Sequence, residues 1–230
     1  MDVFQIRVKV YLKKDIPVTN AQTQITYFID SCFAQNEKMK ALHNENKYKY
    51  YCYDLLYPQE ADKIYKQDKS YTLTIRTVDR HLAEYFSESC EDVSTEFMKG
   101  LRVENRLIPK KHIDLLYTLT PAVIKDEKGY WKGHMAFEEY ERRLKVNLIK
   151  KWNQFENDKL DEDFELYTGI EILNRGPIAA EYKGIKLLGD KVRIHAADNE
   201  TAQKLAYMAL GTGILEMNSR GFGFLNYRWL

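Results

Sequence analysis

VFQIRVKVYL, residues 3–12, alternates from side to side. Phe4, Ile6, Val8, Val10 and Leu12 point one way, while Gln5, Arg7, Lys9 and Tyr11 point the other. A period of two is a strand with one buried face. Pro17 and Asn20 break it, and Thr19 followed by Gln22 has the spacing of a capping box. Ile25, Phe28, Ile29, Cys32 and Phe33 then recur at helical spacing, predicting a helix that the polar run from Asn36 to Lys40 ends. Residues 48–56 and 71–78 read as strands. Asp79 is placed to cap a helix over 80–90, with Leu82, Phe86 and Cys90 on one face, and 101–108 alternates again.

Pro109-Lys110-Lys111 interrupts this pattern, and the same order then recurs. The expected elements are a strand over 113–124, a helix over 135–156, strands over 164–173 and 185–196 around an Asn174–Pro177 turn, a helix over 200–210 and a strand over 222–229. The repeat is one of element order and not of residue identity. Two consecutive βαββαβ units predict an α+β fold of two tandem ferredoxin-like (RRM-like) domains, 1–109 and 110–230, each an antiparallel sheet with helices on one face.

The chain has 35 Lys plus Arg against 34 Asp plus Glu, a net charge of +1, with 44% hydrophobic and 13% aromatic residues. That composition builds a core and excludes global disorder. No apolar run approaches the roughly 20 residues of a membrane span. The start lacks a basic segment followed by an apolar one, so a secretory signal is not expected. Cys32, Cys52 and Cys90 are odd in number and have no C-x-x-C spacing. A disulfide framework or zinc site is therefore not expected, and a reducing, cytoplasmic setting is the default. Near-neutral charge excludes a broadly basic coat but hides segregation. Residues 99–151 hold 13 basic against seven acidic residues, and 154–166 hold six acidic against one basic. Such asymmetry is a footprint of nucleic-acid binding. The 17 tyrosines suit both half-buried strands and base-stacking surfaces.

Four of the 11 glycines fall in G-T-G-I-L-E-M-N-S-R-G-F-G, residues 211–223. Phosphate-cradling glycine loops usually precede a helix, so that phosphate meets the positive N-terminus. Here the glycines follow one, which disfavours a nucleotide cofactor, and Gly211 has the position of a helix C-cap. Asn218, Ser219 and Arg220 remain able to touch a phosphate backbone. This segment resembles the glycine-rich motif of the CRISPR-associated repeat-cleaving endoribonucleases, of the RAMP superfamily. Leu42-His43-Asn44, followed by Tyr48-Lys49-Tyr50-Tyr51 and Leu55-Leu56, is similar to that family's H-N…K-x-F/Y…L pattern. The closing LNYRWL, residues 225–230, is more polar and aromatic than the family's last strand.

The resemblance implies two tandem ferredoxin-like domains and metal-independent cleavage of CRISPR repeat RNA, with no cofactor. Repeat RNA is then the partner, other CRISPR effector proteins receive the guide, and a monomer or homodimer is compatible with the reading. It also implies that His43 is general acid or base, that Lys49 stabilises the phosphorane in competition with Lys47, and that Tyr27 on the first helix orients the scissile 2′-hydroxyl. Candidate RNA contacts are Lys47, Arg102 and Arg106 on one strand face, Arg142 and Arg143 on the long helix, and Gly211, Gly213, Arg220, Gly221 and Gly223 in the loop. Lys110, Lys111 and His112 add basic side chains in the connection. His81, His134 and His195 have weaker claims, and no pair of histidines has metal-ligand spacing. The alternatives are a non-catalytic RNA-binding RAMP subunit and a small-molecule-binding ferredoxin-like regulator.

Overall fold

The computed structural model describes residues 1–182 and 185–230. The first half runs β1 (Val3–Leu12), β2 (Ile16–Pro17), α1 (Val18–Ala34), α2 (Glu37–Asn44), β3 (Tyr51–Tyr53), β4 (Ile64–Tyr65), β5 (Ser70–Thr77), α3 (Arg80–Ser89) and β6 (Met98–Ile108). The second runs β7 (Ile113–Thr118), α4 (Phe137–Glu156), β8 (Tyr167–Ile172), β9 (Ile178–Tyr182), β10 (Ile185–Gly189), β11 (Val192–Ala196), α5 (Glu200–Thr212) and β12 (Leu225–Trp229). Two four-stranded antiparallel sheets result, in the orders β3-β5-β1-β6 and β12-β7-β11-β8. Counted within each half, both orders are second, third, first, fourth strand or its reverse, so the repeat of element order is also a repeat in space. The expected α+β architecture of two sheet-bearing, ferredoxin-like domains is the one observed.

Alternation explains the first sheet. Ile6, Val8, Val10 and Leu12 of β1 are fully buried, packing toward Ile25, Phe28 and Phe86. Arg7 and Lys9 point to the open face. Asp79 caps α3 as predicted, its Oδ1 accepting from the amides of His81 and Leu82 at 2.8 and 3.3 Å.

Several local expectations are corrected. The Thr19–Gln22 capping box does not form, because α1 starts at Val18 behind Pro17 with no side-chain cap. Gln22 is buried and donates to the Arg220 carbonyl at 2.7 Å instead. Asn36 is not a breaker leading into a loop. Its Oδ1 accepts from the Met39 amide at 3.1 Å and starts α2. The strand expected over 48–56 is only Tyr51–Tyr53, since Tyr50 adopts φ 53°. The strand expected over 113–124 stops at Thr118, and the one over 185–196 divides into β10 and β11. β10 pairs with β9 as a separate hairpin. Among the described residues no helix is long and apolar enough to cross a membrane.

The halves are joined through α5, which packs on β1, β3 and β5 as well as on β7 of its own sheet. Gly211 is not the C-cap; it lies inside α5 at the contact. A Cβ there would lie 2.8 Å from Val78 Cγ1 and 3.0 Å from the Thr77 carbonyl carbon. Buried Arg76 of β5 spans the same junction. It donates to Gln5 Oε1 at 2.9 Å and to the Leu225 carbonyl at 2.7 Å, with its guanidinium 4.6 Å from the Phe224 ring centre. The Tyr207 hydroxyl donates to the Ile108 carbonyl at 2.5 Å. Gly211→Val should force these layers apart, lowering stability by roughly 1–3 kcal/mol as overpacking does. Thermal unfolding measures it, and an unchanged midpoint would mean that the interface yields.

Candidate active site

The glycine-rich segment is built around a lysine. Lys151 sits on the inward stripe of α4 with Leu144 and Leu148, and all three are buried. Its Nζ donates to the carbonyls of Gly213 at 2.9 Å and Leu215 at 3.1 Å, and to Asn218 Oδ1 at 2.7 Å. Burial pulls the ammonium down to about 7, with Cys52 and Glu216 opposing. The Asn218 amide donates in turn to the carbonyls of Ile214 and Phe222 at 2.8 and 3.0 Å. Gly213, at φ 70°, is the residue that ends α5. A side chain there would meet Asn218 Nδ2 at 2.6 Å.

This arrangement corrects two readings of the loop. Gly211, Gly213, Gly221 and Gly223 are all buried. The amides of Gly213, Ile214, Glu216, Gly221 and Gly223 donate to protein carbonyls. Direct RNA contact through these glycines is therefore not what the geometry offers, and Asn218 is committed inside. The loop presents Ser219 and Arg220, carried on a single 3₁₀ turn, Asn218–Arg220.

Arg220 meets His43. The histidine lies in the last turn of α2. Its ring stacks on Phe33, with centroids 4.5 Å apart and planes 18° apart. Nε2 lies 3.0 Å from Asp30 Oδ1 of α1 and 3.4 Å from Arg220 Nη2. Arg220 Nη1 donates to the same Asp30 oxygen at 2.8 Å. On the other side, the Tyr51 hydroxyl lies 3.5 Å from His43 Nδ1. The imidazole side chain is only 8% exposed. Burial acts to raise the pKa of Asp30, but His43 and Arg220 outweigh it and hold the carboxyl below its ordinary value.

His43 also lines a pocket with Glu45, Lys47, Lys49, Tyr51 and Asp79. Lys49 reaches back to cap α2, its Nζ donating to the carbonyls of Leu42, at 2.9 Å, and Glu45. Burial lowers its pKa, with Glu45 opposing. Lys47 is 67% exposed and pairs with Glu45 at 2.9 Å.

Residues 103–227, over half of the chain, match the family described as CRISPR associated protein Cas6, C-terminal. The chain belongs to the Cas6 family. A curated relative from Methanocaldococcus jannaschii, CRISPR-associated endoribonuclease Cas6 1, is 26% identical over 214 residues, covering 81% of this chain and 76% of its own. A solved CRISPR associated protein Cas6 superposes with a TM-score of 0.71 at 22% identity, covering 98% of this chain and 99% of its own. A Cas6-related protein from Pyrococcus furiosus gives 0.66 at 18%, covering 98% of each. A RAMP protein described as binding different RNA substrates gives 0.69 at 18%, covering 98% and 99%. At these identities the solved structures establish the shared fold.

Within that Cas6 fold the remaining predicted residues scatter. Tyr27 stands one turn before Asp30 on α1 and is 52% exposed. Arg102 lies opposite Lys9 on the open face of the first sheet, and exposed Arg106 lies opposite Gln5, which is buried where Arg76 meets the second half. Arg142 and Arg143 are engaged on α4, by Glu139 at 2.6 Å and by Asp126 at 3.0 Å respectively. His112 faces Asp198, His134 faces Asp126, His195 faces Glu171 and His81 is exposed, so none joins the cluster. Among the described residues no group of three or more His, Cys, Asp or Glu side chains is arranged to hold a metal ion.

Asp30 and Lys151 were not among the residues that spacing singled out, although both left a signal. Asp30 is the single charged residue between Val18 and Ala34, and Lys151 falls on an apolar helical stripe. Lys151→Met should leave the Leu215 carbonyl and Asn218 Oδ1 without a donor, while the Gly213 carbonyl keeps the Thr212 hydroxyl at 3.3 Å, and should destabilise the fold by at least the roughly 1–3 kcal/mol that one unpaired buried acceptor costs. Denaturant unfolding checks this. Stability equal to wild type would remove the ammonium as the loop's anchor.

Proposed function

We propose that the protein is a metal-independent endoribonuclease that cuts CRISPR repeat RNA into guide RNAs. The observation that carries this reading is the pocket gathering His43, Lys47 and Lys49 in a chain of the Cas6 family. RNA supplies its own nucleophile. The 2′-hydroxyl attacks the adjacent phosphorus, the P–O5′ bond breaks, and the products are a 2′,3′-cyclic phosphate and a 5′-hydroxyl. One proton leaves the 2′-oxygen and one reaches the 5′-oxygen, so no water or electron carrier is consumed.

His43 performs one of these transfers, as an imidazole suits near neutral pH. Lys49, or Lys47 in its place, offsets the charge growing on the phosphoryl oxygens. To do so Lys49 exchanges one of its two carbonyl acceptors for a phosphoryl oxygen. Tyr27, exposed on α1 near this cluster, orients the 2′-hydroxyl. Tyr48 lines both the His43 pocket and a second groove with Arg142, Arg143, Lys150 and Glu216, which supports an RNA path along α4. Arg102 with Arg7 and Lys9 supports a further contact on the open sheet face. Arg220 serves the RNA through the cluster at His43.

The test is cleavage of a repeat RNA in excess EDTA, beside the same RNA with a 2′-deoxy substitution at the cut site. Only the first should be cut, and His43→Ala should lower the single-turnover rate by about 10²–10⁴-fold. Tight binding with neither RNA cut would make the chain a non-catalytic RNA-binding RAMP subunit; no RNA affinity would favour a small-molecule regulator. Arg142→Ala and Arg143→Ala should weaken binding and flatten its salt dependence by about one unit of slope for each phosphate no longer gripped. An unchanged slope would move the RNA path away from α4.

A further inference from the structure

We propose that Asp30 and Arg220 are an opposed pair of positioning residues that orient the His43 imidazole and set how readily it holds a proton. The inference rests on the reading of His43 as the proton-transfer residue. Its ground is geometric. One imidazole nitrogen, Nε2, has a carboxylate oxygen at 3.0 Å and a guanidinium nitrogen at 3.4 Å, and those two charges bind each other at 2.8 Å. The three side chains come from separate elements: α1, α2 and the glycine-rich loop.

Each partner is fixed independently. Asp30 rides on α1, whose neighbouring Ile29 and Phe33 are buried in the first core. Arg220 is anchored through its carbonyl, which accepts from Gln22 at 2.7 Å, and its guanidinium lies 5.7 Å from the Tyr182 ring centre. Phe33 supports the imidazole face, and the Tyr51 hydroxyl stands at Nδ1. The other charged or titratable groups that line the pocket beyond the ring are Glu45, Lys47, Tyr48, Lys49, Tyr50 and Asp79.

The two charges act on the imidazole in opposite senses. The carboxylate favours the protonated ring and accepts from Nε2–H. The guanidinium disfavours a second positive charge beside it. Neither Asp30 nor Arg220 lines the pocket that His43 faces, so both act through His43. Asp30 is 34% exposed, which leaves its side of the cluster open to solvent. Removing one charge leaves the other unopposed, and the two removals therefore have opposite signatures. That difference separates this role from a merely structural one, in which both variants lose activity without displacing the pH profile.

The experiment is the pH dependence of single-turnover cleavage of a synthetic repeat RNA by the wild type, Asp30→Asn and Arg220→Gln. With Asp30→Asn, the limb governed by the imidazole should move to lower pH by about one unit, whether His43 serves as acid or base, since its protonated form is disfavoured in both cases. With Arg220→Gln the same limb should move to higher pH. The double variant should return toward the wild-type position. Limbs that stay in place, or move the same way in both variants, overturn the proposal. His43→Ala keeps the two readings apart: a normal rate there removes His43 from the chemistry, whereas an inactive His43→Ala beside unmoved limbs removes only Asp30 and Arg220. Should one charge variant fail to fold, the direction of the other decides, and the His43 ring titration followed by NMR on the folded protein reads the same displacement without RNA.

Discussion

A lysine ammonium enclosed at the inner face of α4 is the contact on which the second half of the site is built. Taking such a charge out of water costs several kcal/mol unless its donors are met, and Lys151 meets three oxygens of the glycine-rich segment. To supply them, the chain after α5 turns its carbonyls inward. Leu215 and Met217 adopt positive φ in that turn, at 55° and 61°. Glu216, Met217, Ser219 and Arg220 are the partly exposed positions that remain, and of these Arg220 reaches His43. The glycines thus act by letting the backbone fold round a cation, and the loop's contribution to chemistry is a side chain held at a set place.

Because that side chain belongs to the second half of the molecule and His43 to the first, the cluster exists only when both halves are docked. Close contacts hold the two halves together. Gly211 lets α5 approach β5 closely, Arg76 ties β5 to β12, and Tyr207 reaches the carbonyl of Ile108. Tyr53 closes the same junction, its ring lying 2.5 Å from where a Cβ on Gly221 would sit. The β9–β10 hairpin adds a strap, where Thr23 of α1 donates to the Glu181 carbonyl at 3.2 Å.

Charge is distributed less simply than a count of basic residues suggests. The excess within residues 99–151 includes Lys151, which is buried, and Arg142 and Arg143, which are paired with acids. Lys110 is likewise matched by Asp2 at 2.9 Å. A polyanion arriving along α4 would exchange partners with these carboxylates, so its gain is the difference between two sets of contacts. The first sheet offers a different setting, where Arg7, Lys9 and Arg102 share an open face with Glu104.

The order of elements was legible along the chain. Alternation in β1 and helical spacing in α1, α3, α4 and α5 are local properties, and each half carries them in the same succession. His43 and Lys49 were legible as candidates through the resemblance of their segment. What could not be read was set by contacts between distant residues. Asn36 looked like a breaker because α2 is short and offers only Met39, Ala41 and Leu42 as apolar residues. Gln22 looked like half of a capping box, yet its amide serves a carbonyl 198 positions away. Asp30 and Arg220 are 190 positions apart, and Arg220 and His43 are 177 apart. Periodicity reports how one segment packs on its own layer, so it determined the two sheets and their helices. Which side chains meet at the junction depends on how two domains dock, and only the tertiary structure decided that.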